Sequence, residues 1–190
     1  MNIRTLARKA LKEQITLTAY NLFRENGYEK TTVEAISGAL GMSARNYFRY
    51  FPAKEDVLLE STHEFRSRFL TVFAQRLDTE DIWEAMKNSI AECALHFTSQ
   101  QEEEMQTFIR STPALFSRQL EIFEGLVSEA TDYYVLHHAE TLNRNTVNAV
   151  IRSGFACLQA VQGESNEIAS GEAFISLMTE MKPVLLALPR

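Results

Sequence analysis

The chain has 190 residues, of which 45% are hydrophobic and 23% are charged, and its formal net charge at pH 7 is −6. These proportions are typical of a soluble protein with a hydrophobic core. They exclude a membrane-spanning chain, because no run approaches the roughly 20 apolar residues that a spanning helix needs. The two cysteines, Cys93 and Cys157, fit neither a disulfide framework nor a CxxC metal site, which predicts a cytoplasmic location.

Positive charge is concentrated near the N-terminus. Residues 1–54 contain nine lysines and arginines against four acidic residues, whereas residues 55–190 contain ten against twenty-one. A basic segment on an acidic chain indicates that this segment meets a polyanion. Uneven solvated charge would give the same balance, so the sequence motifs have to decide between the two interpretations.

Apolar residues recur at helical spacing in nearly every segment, and the sequence contains no strand pattern. The first apolar stripe lies between Leu6 and Phe23, and we expect Gly27 to close that helix. Thr31 and Glu34 have the spacing of a capping box and should begin a second helix.

A turn at Gly41 separates this second helix from a short third one. Ser43 is the expected N-cap of the third helix, and Pro52 should terminate it. Three helices within about fifty residues, with the last two joined by a turn, predict a helix-turn-helix unit.

The helices lengthen beyond Lys54, and we expect about nine in the whole chain. The segment QGESNEIASGE, residues 162–172, is the clearest surface loop, and Pro183 should kink or end the last helix. The predicted fold is therefore all-α, with a helix-turn-helix domain over residues 1–56 and a larger helical bundle over residues 57–190.

The segment MSARNYFRYF, residues 42–51, combines four aromatic residues with two arginines. In a helix-turn-helix the second helix enters the major groove of DNA while its other face packs on the neighbouring helices. We expect Met42, Phe48 and Phe51 on the inward face and the other side chains towards DNA. The alternative is an amphipathic turn packed in a core, but the caps, the turn, the stop and the local charge together favour DNA binding.

The outward side chains suit base and phosphate recognition. Arginine can pair with guanine, asparagine with adenine, and tyrosine can reach a phosphate or a thymine methyl group. The start of a helix can hold a phosphate through its backbone N–H groups. The predicted DNA-contacting residues are Thr31, Thr32, Ser43, Arg45, Asn46, Tyr47, Arg49, Tyr50 and Lys54.

Residues 15–58 resemble the DNA-binding domain of TetR-type transcriptional regulators. The matching motifs are I-x-x-T-A-x-x-L-F-x-x-x-G-Y (Ile15 to Tyr28), T-T-V-E-A-I (Thr31 to Ile36), L-G-M-S (Leu40 to Ser43), Y-F-R-Y-F (Tyr47 to Phe51) and K-E-D-V-L (Lys54 to Leu58). Asn46 stands where threonine is common in that family. The resemblance implies a homodimer that binds a palindromic operator on double-stranded DNA, most often as a repressor that a small apolar or amphipathic ligand releases.

The rest of the chain is similar to the same family in architecture alone. Its motif I-R-S-T-P-A-L (Ile109 to Leu115) is similar to regulators that accept acyl-CoA-like ligands, which implies such a compound as the effector. The aromatic residues here could line an apolar pocket, although side chains at helical spacing also fill ordinary cores. The candidate pocket residues are Phe65, Phe69, Trp83, Met86, Ile90, Phe97, Phe108, Phe123 and Tyr134.

The last two apolar stripes are long enough for a pair of helices that meets a second copy of the chain in a four-helix interface. The alternative is a helical hairpin buried within one subunit, and the family resemblance favours the dimer. The candidate interface residues are Val147, Val150, Ile151, Gly154, Phe155, Leu158, Phe174, Leu177, Met178 and Met181.

Enzyme motifs are missing from the sequence, which has no HExxH, no phosphate-binding loop and no GxGxxG. Adjacent His137 and His138 would point about 100° apart on a helix and are poorly placed to share a metal. We therefore expect no catalytic residue, no metal and no cofactor. The alternative function is a helical lipid- or acyl-ligand-binding protein whose basic head contacts a partner or a membrane surface. Three short capped helices interrupt the continuous amphipathic face that membrane binding needs.

Overall fold

The computed structural model describes residues 3–94, 100–138, 142–161 and 167–186. Within these ranges the chain forms nine α-helices, one 3-10 helix (Glu55–Leu58) and no strand, which confirms the all-α prediction. The α-helices are α1 (Ile3–Asn26), α2 (Val33–Ala39), α3 (Ala44–Tyr47), α4 (Glu60–Arg76), α5 (Ile82–Ala94), α6 (Gln100–Ser111), α7 (Pro113–His137), α8 (Arg144–Val161) and α9 (Glu167–Leu186).

The helices group into two compact units. Met1–Thr62 and Gln100–Leu120 form the first, which we call the head unit, and His63–Ser99 and Glu121–Arg190 form the second, the body unit. Helices α4 and α7 each begin in the head unit and continue in the body unit. The functional division into residues 1–56 and 57–190 stays a prediction.

The core of the head unit forms around α1, which buries one face along Ile15, Ala19, Tyr20 and Phe23. Helix α6 packs on the same face, because the ring of Phe108 lies 5.8 Å from that of Tyr20 and 6.4 Å from that of Phe23. Burial of side chains of this size stabilises a fold by about 1.5–3 kcal/mol each. Residues far along the chain therefore help to hold the N-terminal helices.

Thr31 bonds to the end of α1, and Thr32 caps the start of α2. Gly27 has a φ of +84° and closes α1 as expected, with its N–H donating to the Phe23 carbonyl at 2.9 Å. The Thr31 hydroxyl lies 2.9 Å from the carbonyl of the same glycine, to which it can donate. Thr32 is the N-cap of α2 and accepts from the Ala35 N–H at 3.1 Å. The predicted cap was thus wrong by one residue, because Thr31 is used by the end of α1.

Aromatic rings dominate the core of the body unit. The Phe69 ring lies 5.3 Å from that of Phe73 and 5.2 Å from that of Phe155. Helix α9 is tied to α5 by the Trp83 indole N–H, which donates to the Met178 carbonyl at 2.8 Å. None of the helices described combines the length and apolar character that a membrane crossing requires.

The last helix differs from the prediction at its start. Helix α9 begins at Glu167, so residues 167–172 of the predicted loop are helical, while residues 162–166 lie outside the described residues. The helix continues past Pro183 to Leu186, so the proline does not end it, and a kink there stays a prediction. Small and polar residues at the start of a helix resemble a loop in sequence, and the neighbouring helices α5 and α8 supply packing that composition alone does not reveal.

Candidate nucleic-acid interface

The turn between α2 and α3 has the geometry that a helix-turn-helix needs. Gly41 has a φ of +64°, a conformation that glycine adopts without steric cost. The Met42 N–H donates to the Ser37 carbonyl at 2.9 Å and closes the end of α2. Ser43 is the N-cap of α3, as predicted, and its hydroxyl accepts from the Asn46 N–H at 3.2 Å.

Tyr47, the last residue of α3, and Phe48, which follows it, point in different directions. Tyr47 has no exposed surface and its ring lies 5.7 Å from that of buried Phe51, whereas Phe48 is 50% exposed. The predicted orientation, with Phe48 inward and Tyr47 towards DNA, is therefore wrong. Tyr47 and Phe51 are four residues apart and share one face of the helical turn, which rotates Phe48 outward by about 100°.

Burial also changes the chemistry of Tyr47. It raises the pKa of the Tyr47 phenol well above its ordinary value, and the negative charges of Asp56 and Glu55 raise this pKa further. The neutral phenol is therefore a core group of the head unit. From that position it has no surface with which to contact a nucleic acid.

Arg45 and Arg49 are exposed on the outward face of α3 and its C-terminal turn. One N–H of Arg49 donates to the Asn46 side-chain oxygen at 3.4 Å, which draws these two side chains together. Tyr50 is half-buried, and Ser43 and Thr32 are exposed. The fold thus presents two guanidinium groups, an amide and the Phe48 ring on one small surface.

Two of the predicted phosphate-contacting residues are engaged by the fold. Thr31 is buried, so its predicted contact with DNA is not supported by its position. The ammonium of half-buried Lys54 donates to the Tyr28 carbonyl at 3.0 Å and to the Thr31 carbonyl at 3.3 Å. It also lies 4.0 Å from the centre of the Tyr28 ring. Lys54 therefore ties the loop before α2 to the 3-10 helix, and its contact with DNA stays a prediction.

A hydrogen bond between Tyr28 and Glu55 also stabilises the loop before α2. The Tyr28 hydroxyl donates to a Glu55 carboxylate oxygen at 2.6 Å. Burial raises the pKa of Tyr28, and this hydrogen bond raises it further. Burial also acts to raise the pKa of Glu55, but the Tyr28 hydrogen bond and the charges of Lys54 and Arg118 lower it more, so its pKa falls below the ordinary value.

Helix α7 contributes an ion pair to the head unit. The Arg118 guanidinium donates to the carboxylate of buried Asp56 at 3.0 Å, and the Ala53 N–H donates to the other oxygen at 3.2 Å. Asp56 therefore accepts bonds both from the segment after α3 and from α7. The sequence gives no signal for this pair, since its two residues are 62 positions apart.

A further basic residue beside α3 was missed by the sequence analysis. The guanidinium carbon of Arg8 lies 5.4 Å from the centre of the Tyr50 ring, and one N–H donates to the Arg49 carbonyl at 3.4 Å. The spacing of Arg4, Arg8 and Lys12, which places all three on one face of α1, was the available signal.

The predicted pocket residues fall in two places. Phe108 packs in the head unit, as described above, and Phe97 lies outside the described residues. The other seven lie in the body unit, where all but Phe123 are buried: Phe65, Phe69, Trp83, Met86, Ile90, Phe123 and Tyr134. Their contact with a ligand stays a prediction.

Most of the ten candidate interface residues are buried within their own chain, and their role in a dimer stays a prediction. Six are buried within their own chain and have almost no surface to offer a partner: Val147, Ile151, Gly154, Phe155, Phe174 and Met178. Gly154 illustrates the cause, because a Cβ at this position would lie 2.7 Å from the Met86 methyl group of α5. The glycine permits close packing within the body unit. Val150, Leu158, Leu177 and Met181 are half-buried.

Few other groups in the described ranges have the arrangement of a metal site or the properties of a reactive side chain. Within those ranges no cluster of histidine, cysteine and acidic residues has the arrangement of a metal site. Both cysteines are buried, and burial raises the pKa of the Cys93 thiol to about 11.

Known proteins match the chain most clearly over this region. Residues 15–61 match the family model of bacterial regulatory proteins, tetR family. The HTH-type transcriptional regulator TcmR of Streptomyces glaucescens is 35% identical over 78 residues, which cover 41% of this chain and 34% of TcmR. The chain thus matches about a third of the length of this curated relative.

Solved structures extend the likeness of fold over nearly the whole chain. A Syntrophomonas wolfei protein assigned to the TetR family has 18% identity and a TM-score of 0.63, with 95% of this chain and 99% of that one covered. An Aquifex aeolicus transcriptional regulator has 15% identity and a TM-score of 0.54, with 90% and 98% covered. Residues 15–61, with their helix-turn-helix geometry, thus match the tetR family of bacterial regulatory proteins, and the fold of the chain is similar to that of the solved TetR-type regulators.

Proposed function

We propose that the chain binds a palindromic DNA operator as a homodimer and represses transcription until a small apolar or amphipathic ligand releases it. The observation that carries DNA binding is the division of α3 into two faces. Tyr47 and Phe51 are buried and fix the helix to the head unit, while Arg45, Phe48 and Arg49 are left exposed.

The exposed side chains suit the major groove. The arginines can each donate two parallel hydrogen bonds to the O6 and N7 atoms of guanine, and Asn46 can pair with adenine. Phe48 has no hydroxyl group and can contact a thymine methyl group through its apolar surface. Backbone N–H groups at the start of α2 and a hydroxyl at Thr32 can hold a phosphate.

A two-fold dimer would place two such surfaces on successive major grooves, about 34–36 Å apart, and a palindromic operator presents the same bases to both. The residues that α8 and α9 leave exposed are the better candidates for the contact. Ile175 on α9 is 44% exposed, and Ala149 and Ala156 on α8 are exposed and small enough to allow a close approach.

Ligand release requires a route from the body unit to the head unit. Helices α4 and α7 each contribute residues to both units, and α7 provides Arg118, which binds Asp56 just after α3. A ligand that repacks the aromatic core around Phe65 and Phe123 could shift α7 and thereby this ion pair. Coupling of this kind amounts to about 1–3 kcal/mol. An acyl-CoA-like compound remains our candidate effector.

The experiment is a fluorescence anisotropy titration of the full chain on DNA from upstream of its own gene, with a scrambled fragment of equal length beside it. We expect the upstream DNA to bind about 10³-fold more tightly or better, as specific operators do. Equal binding to both fragments that weakens steeply with salt would show electrostatic attraction alone and would contradict an operator there. Failure to bind either fragment at low salt would overturn the proposal and favour the lipid-binding alternative, which binding to lipid vesicles would then test.

A further inference from the structure

The first turns of α1 form a basic surface that lies outside the family match, which begins at residue 15. Arg4, Arg8 and Lys12 follow each other at four-residue intervals, and no acidic residue precedes Glu13. Residues four apart lie on one face of a helix. The three side chains therefore form a row, which we call the basic row, that runs along α1.

This row lies against Tyr50 and Phe51, which follow α3. The ammonium of Lys12 is 5.4 Å from the centre of the Phe51 ring, and the guanidinium carbon of Arg8 is 5.4 Å from the centre of the Tyr50 ring. The hydrogen bond from Arg8 to the Arg49 carbonyl holds α1 in this position beside Tyr50 and Phe51. Because a helix rises 1.5 Å per residue, Arg4 lies about 6 Å further along the axis.

Lys12 and Arg8 differ in how far the fold compensates their charges. Lys12 is 2.5 Å from the carboxylate of Glu60 and is therefore neutralised within the fold. Arg8 makes no ion pair with a carboxylate of the described residues, and both Arg4 and Arg8 are exposed. Arg8 uses one of its five N–H donors on the Arg49 carbonyl, which leaves most of its donors for a ligand.

Arg8 thus places an exposed guanidinium group on α1 directly beside Arg49, the exposed arginine that follows α3. We propose that Arg4 and Arg8 are a second DNA contact, which binds phosphate groups of the backbone that flanks the major groove read by α3. This inference rests on the proposed DNA-binding function. Phosphate contacts of this kind set affinity and position but do not read sequence.

The test compares Arg4→Gln, Arg8→Gln and the double variant with Lys9→Gln. Lys9 is a matched control, since it lies about 100° around the helix from Arg8 and is exposed beside Glu13 at 4.0 Å. All variants should keep the wild-type melting curve, because the replaced side chains are exposed. Affinity would be measured by anisotropy on operator and scrambled DNA at several salt concentrations.

We expect the double variant to bind about tenfold more weakly on both fragments, with the ratio of the two affinities unchanged. Each lost phosphate contact should reduce the slope of log K against log salt by about 0.9. Arg8→Lys should keep the wild-type slope because it keeps the charge. Lys9→Gln should differ from wild type by less than about twofold, which its separate direction on α1 predicts.

Three results would overturn the inference in distinguishable ways. If the wild type binds its operator and the double variant behaves like Lys9→Gln, the row does not contact DNA and the proposed function survives. If Arg8→Gln lowers specificity at an unchanged salt slope, Arg8 positions α3 through the Arg49 carbonyl and is no phosphate contact. If the wild type itself binds no DNA, the proposed function and this inference fail together.

Discussion

The head and body units use aromatic residues for different purposes. In the head unit, Tyr47 and Phe51 fix a four-residue helix, which could not be stable alone, so that its other face stays free for contact. In the body unit, Phe65, Phe69 and Phe155 pack against one another and form a continuous core. Aromatic content alone therefore does not locate a binding surface, because the exposure of the neighbouring residues decides which role an aromatic side chain has.

The largest effect should come from removing a ring that fixes α3. We expect Phe51→Ala to destabilise the protein by about 3–5 kcal/mol, since Phe51 is fully buried and its loss leaves a cavity. Phe48→Ala, on the exposed ring of the same segment, should cost less than about 1 kcal/mol. Urea denaturation of both variants measures the difference, and equal losses would show that the two faces of α3 are wrongly assigned.

The next effect concerns the ion pair that α7 gives to the head unit. We expect Arg118→Gln to destabilise the protein by about 1–3 kcal/mol, because the buried Asp56 carboxylate loses a charged donor. Adding Asp56→Asn should recover part of that loss, as a double-mutant cycle would show. Strictly additive losses would mean that the two residues are not coupled.

A third prediction tests which surface of the body unit would meet a second copy in the proposed dimer. Ile175→Glu should weaken dimerisation by tenfold or more, because it places a charge on an apolar surface that a dimer would bury. Sedimentation velocity over a range of concentrations would measure this, with Thr179→Glu, exposed one turn further along α9, as a probe of how far the surface extends. An unchanged dimer constant for Ile175→Glu would exclude this part of α9 from the interface.

Much of the head unit could be predicted from sequence because its signals are local. Ser43, Gly27 and Gly41 act as caps and turns through their own backbone chemistry, and all three were placed correctly. The direction of Tyr47 and Phe48 could not be predicted, because a four-residue helix is too short for a periodic pattern to define its buried face.

The other differences from the prediction have a non-local cause. An apolar stripe shows that a helix face is buried but not what covers it, so the packing of Ile151 and Gly154 within their own chain could not be predicted. The same holds for Phe108, which packs on α1 more than eighty residues away in sequence. Contacts of this kind depend on the assembled fold and cannot be recognised from the spacing of residues along the sequence.

A smaller effect should show which base the exposed Phe48 ring contacts. If Phe48 contacts a thymine methyl group, replacing that thymine by deoxyuracil should weaken binding about three- to fourfold, the value of one buried methyl group at roughly 0.8 kcal/mol. The Phe48→Ala variant should show no difference between the two DNAs. Scanning the thymines of the operator one by one would find the position, and a wild type insensitive at every thymine would contradict this contact.

The smallest effect should be the pH dependence of the Tyr28–Glu55 pair. The pKa of Tyr28 is raised on folding, so its contribution is present below its unfolded pKa of about 10 and is lost as pH rises further. The pKa of Glu55 is lowered, so its contribution is present above its unfolded pKa of about 4.3 and is lost as pH falls. Tyr28→Phe should therefore lose stability less steeply above pH 10 than the wild type, in thermal melts across pH. Parallel pH profiles would contradict this role.

The most direct test of α3 as the DNA-reading surface compares two arginine variants on the operator fragment. Arg45→Gln removes a charge from the outward face of α3, and Arg144→Gln removes one from the body unit, where Arg144 is exposed and paired with Asp132 at 2.6 Å. Arg45→Gln should weaken operator binding by about tenfold or more and relax the preference for one base pair, while Arg144→Gln should bind like the wild type. Equal affinities for the two variants would show that DNA is read elsewhere on the molecule.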